Sequence, residues 1–257
     1  SFKLLLSLLS FELLFIIYLY KYIFIYKFIM KWIVSKTNTP NHLQTITEAI
    51  TKASDYDEIH IYTGHYKEKL IINKEIKIIG FGTVCIYYDC DFMDHVISIK
   101  ETVKLENLII QSKLSNILYI YTSMDVEIKN CKLVSETQNC INIYNSGNFI
   151  IKNCHIEAKK NGIDYNNILN VFNHSGKIEK CNIYAHNYAI KLVNYSKLYI
   201  IDTLLDTSNK CVLLNENTYL TLENITIKSL NKNFIEYKNN SCPKYNLLIQ
   251  KNIIFKN

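Results

Sequence analysis

IKNC at Ile128–Cys131 recurs unchanged at Ile151–Cys154, 23 residues on, and IEKC follows at Ile178–Cys181. The flanks recur as well. VKLENLII (Val103–Ile110), VEIKNCKL (Val126–Leu133), FIIKNCHI (Phe149–Ile156), GKIEKCNI (Gly176–Ile183), LYIIDTLL (Leu198–Leu205), LTLENITI (Leu220–Ile227) and LLIQKNII (Leu247–Ile254) share one frame. Its aligned apolar residues, Leu105, Ile128, Ile151, Ile178, Ile200, Leu222 and Ile249, lie 22 to 27 residues apart. A second frame keeps step with the first: VISIK, ILYIY, CINIY, ILNVF, AIKLV, CVLLN and FIEYK. Both alternate with a period of two over short runs, the pattern of half-buried strands.

A repeat of this length built only from short strands predicts a parallel β-helix of about eight coils. A leucine-rich repeat would need an L-x-x-L-x-L frame that this chain lacks. No coil closes its own apolar interior, so stacking makes the core. Between strands the chain must bend sharply, and Asn tolerates the left-handed backbone that such a bend needs. Asn107, Asn130, Asn153 and Asn224 take this place, with Lys180, Asp202 and Lys251 in the other coils. Asn side chains one coil apart are expected to hydrogen-bond along the axis. The residue after the bend turns inward: Leu108, Cys131, Cys154, Cys181, Thr203 and Ile225. The repeated Cys therefore form an interior column of small apolar side chains. The tetrapeptide is architecture.

The eight Cys show no CxxC pair and no spacing suited to zinc. They are expected to be reduced, buried thiols of a cytoplasmic protein, with no metal and no cofactor. All 29 basic residues are Lys. Without the bidentate fork of Arg, nucleic-acid readout is not expected.

Residues 1–34 form a separate hydrophobic segment. Leu4–Tyr20 is at the short limit for a membrane span and carries Glu12. Three readings stay open for Ser1–Met30. It is an anchor that holds the body on the cytosolic side, a buried helix that caps the core, or an extension ahead of a start at Met30.

TITEAITKASDYDEIHIYTGHYKEKLIINKEIKIIGFG, Thr45–Gly82, opens on an amphipathic helix over Thr45–Ala53, with Ile46, Ala49 and Ile50 on one face. Strands broken at Gly64 and Gly80 follow. This stretch resembles the opening of right-handed β-helix proteins of the pectin-lyase-like superfamily: a cap helix, a strand, a Gly, Y-x-E, then I-x-I-x-G. With the coils, the resemblance covers about Thr45–Asn257, and residues 45–257 are expected to form an all-β, right-handed, single-stranded parallel β-helix. The superfamily holds pectate lyases, polygalacturonases and pectin methylesterases, and also the non-catalytic β-helices of F-box adaptors. Fold alone selects no function among these.

The resemblance implies that a ligand lies on the outer face of the strands in the second frame. Pectate lyases of the superfamily use clustered Asp and an Arg, and pectin methylesterases two Asp and an Arg. This chain has no Arg. DCDF at Asp89–Phe92 is a faint echo, Glu236 is the one carboxylate of the strand face, and Asp164 is placed on a long loop. The same frame gives an aromatic row, Tyr119 and Tyr121, then Tyr144, then Phe172, bordered by Asn142, Asn170 and Lys191. The expected function is a monomeric, non-catalytic recognition or scaffold module that binds a protein segment or polysaccharide along this face. The alternative is a carbohydrate-active enzyme with a degenerate or unrecognised active site.

Overall fold

The computed structural model describes residues 29–37, 39–89, 94–144, 147–167, 174–215, 217–229, 234–237 and 247–256. The chain divides into Ser1–Met30 and Lys31–Asn257. Residues 1–28, with the hydrophobic run read from sequence, lie outside the described residues. Among the described residues no helix is long and apolar enough to cross a membrane, so membrane attachment gains no support from them.

The described residues of Lys31–Asn257 form an all-β, right-handed parallel solenoid of about eight coils with one short helix. A typical coil contributes three strands, such as Val126–Lys129, Lys132–Ser135 and Ile141–Tyr144. The third strands stack into an eight-stranded sheet, here the short sheet. The first and second strands of successive coils join into one long sheet that wraps the other two sides. The sheet begins at Lys31–Val34, which pairs in parallel with Glu58–Ile61.

The repeat frame divides at its Asn. Asn107, Asn130, Asn153, Lys180, Asp202, Asn224 and Asn252 all adopt φ between 50° and 57°, the left-handed bend between the first and second strands. Their side chains form a ladder up the outside. Asn130 Nδ2 donates to Asn107 Oδ1 and Asn153 Nδ2 to Asn130 Oδ1, each at 3.2 Å. Asn224 Nδ2 donates to Asp202 Oδ1 and Asn252 Nδ2 to Asn224 Oδ1, each at 2.9 Å. Lys180 has no acceptor and interrupts the ladder. In the last coil the bend falls on Asn252, not on Lys251, and Leu222 faces Gln250, not Ile249. Pairing one residue later keeps an Asn in the αL position and extends the ladder.

The column after the bend is buried, from Leu108 through Cys131, Cys154, Cys181 and Thr203 to Ile225. Cys131, Cys154 and Cys181 each turn their Sγ back to the carbonyl two residues earlier, at 3.1, 3.2 and 3.3 Å. Thr203 Oγ1 does the same at 2.8 Å. Each of these carbonyls also accepts from the bend residue of the preceding coil, as Asn107 N donates to Lys129 O at 3.1 Å and Asn130 N to Lys152 O at 3.0 Å, so the short side chain adds a second, weak donor. Cys85, Cys131, Cys140, Cys154, Cys181 and Cys211 are free and buried. Burial raises the Cys140 thiol. Hydrogen bonding to the Cys154 sulfur, then burial, raises Cys131 and Cys181.

Interior positions repeat through the coils. Ile128, Ile151, Ile178 and Ile200 are fully buried in consecutive register on one side, as are Leu133, Ile156, Ile183 and Leu205 on the next. Each such side chain contributes roughly 1.5–3 kcal/mol by leaving water.

The helix Ile46–Lys52 closes the first coil with Ile46, Ala49 and Ile50 inward. Thr45 caps its start, and the Glu68 carboxylate accepts from Ile46 N (3.0 Å) and Thr47 N (2.8 Å). Lys74 Nζ donates to the carbonyls of Ile50, Thr51 and Ala53, at 2.9, 2.8 and 2.6 Å. Coil residues thus satisfy both helix ends, which matters for a helix too short to hold itself.

Candidate functional site

The outer face of the short sheet is set by strand register. Ser98, Tyr119, Asn142, Asp164, Lys191, Leu213 and Glu236 occupy one row across the coils. Tyr121, Tyr144, Asn166 and Val193 form the next row, because side chains two apart on a strand share a face.

One coil departs from the sequence reading. The strand between Ile141–Tyr144 and Ile190–Asn194 is Ile163–Asn167, not the ILNVF run at 168–172. Tyr144 therefore faces Asn166, and the aromatic row does not continue into a Phe172 strand. Asn170 and Phe172 lie outside the described residues. Asp164, expected on a loop, stands on the strand face between Asn142 and Lys191. The register is held inside: Ile163 and Tyr165 are fully buried, and the Tyr165 ring meets Phe149 edge-on at 5.1 Å. That T-shaped contact is a favoured aromatic geometry and anchors IDYNN to its own coil.

Tyr119 is the centre of the aromatic cluster. Its ring lies 4.5 Å from His95, 5.6 Å from Tyr144 and 6.2 Å from Tyr121, the last nearly parallel at 3°. Tyr121 is 51% exposed. Burial first, then the neighbouring tyrosines, raises Tyr119; burial, then Asp164, raises Tyr144. Both phenols stay protonated and keep an O–H to donate.

Around the cluster the polar groups bond to one another. Asn142 Nδ2 donates to His95 Nε2 at 3.2 Å, and Asn142 Oδ1 accepts from Asn139 Nδ2 at 2.9 Å. Lys191 Nζ reaches Asp164 Oδ2 at 2.7 Å. Further along the row, Glu236 accepts from Tyr188 O–H at 3.0 Å and pairs with Lys210 at 3.3 Å.

His95 is a neutral acceptor here. Burial pushes it down to about 4 and Lys69 adds to this, while Asp94 opposes it. An unfolded His titrates near 6.5, so between these values the unfolded chain takes a proton that the folded chain refuses. Stability present above pH 6.5 should fall as the pH drops towards 4, and this group adds nothing below that. With allowance for solvent reaching the ring, the loss is about 2 kcal/mol. Denaturant unfolding at pH 7 and pH 5 checks this, and His95→Gln should flatten the difference. An unchanged drop in His95→Gln would rule the group out.

The two carboxylates of the row are three strand spacings apart, about 14 Å. Paired acid/base work on a glycosidic bond needs about 5–9.5 Å. No group of three or more His, Cys, Asp or Glu among the described residues is arranged to hold a metal. On the first side of the long sheet the charges alternate in pairs, with Lys77–Glu106 and Lys104–Glu127 at 3.5 Å and Lys152–Glu179 at 3.0 Å. Those exposed pairs keep that surface solvated and contribute little individually.

Residues 115–257 match the family described as "Right handed beta helix region". No curated protein matches the chain by sequence. Among solved structures, a pectin methylesterase from carrot superposes with a TM-score of 0.70 at 12% identity, over 87% of this chain and 82% of that one. A pectin methylesterase from Aspergillus niger gives 0.67 at 11% identity, over 87% and 85%. A pectin methylesterase in complex with a hexasaccharide gives 0.59 at 14% identity, over 80% of each chain. At these identities the likeness is one of fold.

Proposed function

From the premise that this chain belongs to the right-handed β-helix family, we propose that it is a non-catalytic recognition or scaffold module. It holds a glycan or protein segment against the outer face of the short sheet. One observation carries the reading: Tyr119, Tyr121 and Tyr144 cluster on adjacent coils of that face, with Tyr121 half exposed. Aromatic faces bring large contact area at low entropy cost, and ring stacking serves sugars and peptides alike. A fold neighbour that holds a hexasaccharide adds weight to the glycan arm.

Tyr119→Ala, Tyr121→Ala and Tyr144→Ala should each weaken binding by about 1–3 kcal/mol, the cost of truncating an aromatic anchor. The screen is a glycan and peptide array, followed by titration of the captured ligand. Tyr121→Ala should leave the unfolding midpoint almost unchanged, because half of the side chain already meets water. Binding that survives all three substitutions would remove the face from consideration.

The second reading, a carbohydrate-active enzyme with an unrecognised site, draws support from the fold shared with pectin methylesterases. Against it stand the separation of Asp164 from Glu236 and the lack of any Arg. Release of methanol from pectin that is lost in Asp164→Asn or Glu236→Gln would reverse the preference.

A further inference from the structure

We infer that the ligand of this face is an uncharged oligosaccharide, with sugar rings packed on Tyr144 and Tyr119 and hydroxyl groups reaching the recessed Asp164–Lys191 pair. The inference rests on the reading of the face as a binding surface and narrows it to one ligand class.

The backbone argues against an extended peptide. Leu118 N donates to Cys140 O, Ile141 N to Gly162 O, Ile163 N to Ala189 O and Ile190 N to Cys211 O. These bonds run along the axis from coil to coil, so the coils that carry Tyr119, Tyr144 and the Asp164–Lys191 pair have no open strand edge to add to. Strand addition needs such an edge.

Charge argues against a polyanion. Lys69, Lys191 and Lys210, the cations bonded on and beside the face, face Asp94, Asp164 and Glu236. Lys100, exposed next to the Tyr121 position, has no carboxylate partner among the described residues. Lys160, beside the face, bonds the Gln138 amide oxygen at 2.7 Å. So few cations among the described residues of this face do not match a chain that carries a carboxylate on every sugar.

The central pair argues for hydroxyls. Asp164 is 8% exposed as a residue, so only a small group reaches it. Lys191 takes Oδ2 and leaves Oδ1 without a bond from the described residues. A hydroxyl both donates and accepts, so neighbouring hydroxyls of a sugar can give to Asp164 and take from Lys191. A ligand carboxylate only accepts, and at this spot it would be set against Asp164. Tyr144 lies diagonally across from Asp164 on the adjacent strand, close enough for one sugar to touch both.

The test is calorimetric titration of the full chain with cellohexaose, xylohexaose, mannohexaose and hexagalacturonate, at low and at physiological salt. At least one neutral hexamer should bind about tenfold more tightly than hexagalacturonate, with little salt dependence. The double variant Asp164→Asn, Lys191→Gln leaves no unpaired recessed charge, so the fold should persist. In it, neutral binding should fall about tenfold and the discrimination should disappear. A preference for hexagalacturonate that weakens with salt and is lost in Tyr144→Ala would overturn the inference while keeping the face as a binding surface. Failure of every hexamer to bind would overturn the inference and leave only the peptide arm of the function. Neutral binding untouched by Tyr144→Ala would overturn both.

Discussion

Ile151→Pro should yield no folded protein. Ile151 is fully buried in the middle of the solenoid, in register with Ile128 before it and Ile178 after it. Pro removes a backbone donor and places its ring in the ladder, at a cost of about 3 kcal/mol or more in regular structure. Losing the Ile side chain from a close-packed column adds to this. Domains are typically stable by only about 5–15 kcal/mol. In a solenoid each coil leans on its neighbours, so a cut at the centre leaves two short stacks, each with an open apolar end. Ile151→Val is the control: it keeps the ladder and should cost about 0.5–1.5 kcal/mol. Far-UV circular dichroism and denaturant unfolding decide the matter. A soluble Ile151→Pro protein that unfolds cooperatively near the wild-type midpoint would contradict the central-coil assignment.

The parts of the fold legible in the sequence were those enforced by one residue type at one place. Asn recurs at the αL bend because it tolerates that backbone, and Cys recurs behind it in three consecutive coils because a small side chain fits inward there. Thr45, Ile46, Ala49 and Ile50 likewise announce the cap helix. What misled was apolar content. ILNVF at 168–172 is the more apolar run, yet IDYNN at 163–167, in which Ile163 and Tyr165 alternate with Asp164 and Asn166, forms the strand. An inward Tyr165 is favourable only because Phe149 lies across the interior from it, a contact 16 positions away that no local pattern displays.

A usable signal did exist. The residue just before each third strand is small in four consecutive coils, Cys140, Gly162, Ala189 and Cys211. At Gly162 a Cβ would stand 2.5 Å from Ile183 Cγ2 and 2.6 Å from the Ala189 carbonyl oxygen. Following that column would have placed Asp164 on the face beside Lys191, and with it the polar half of the candidate site. The aromatic half lost only Phe172 to that same shift, since Tyr119, Tyr121 and Tyr144 sit on strands whose register follows directly from the repeat.

Gly176→Ala should be among the most damaging single-methyl additions to the coils. Gly176 lies in register with Phe149 of the preceding coil and Leu198 of the next, at an inward position. A Cβ there would overlap Phe149 Cζ and stand 2.5 Å from Cε1 and Cε2. The ring cannot swing away freely, because its other side meets Tyr165 and it is 1% exposed. Overpacking of this kind costs about 1–3 kcal/mol, and the rigid ring puts this site at the upper end. If the cost is steric, shortening the opposing side chain should recover part of it. Phe149→Leu will be destabilising by itself, since it opens space beside Tyr165. The double variant Gly176→Ala, Phe149→Leu should nevertheless be more stable than the sum of the singles by about 1 kcal/mol or more, within the range for residues in contact. Denaturant midpoints of the four proteins in the cycle supply the number. Strict additivity would mean that position 176 needs Gly for its backbone and not for the space beneath Phe149.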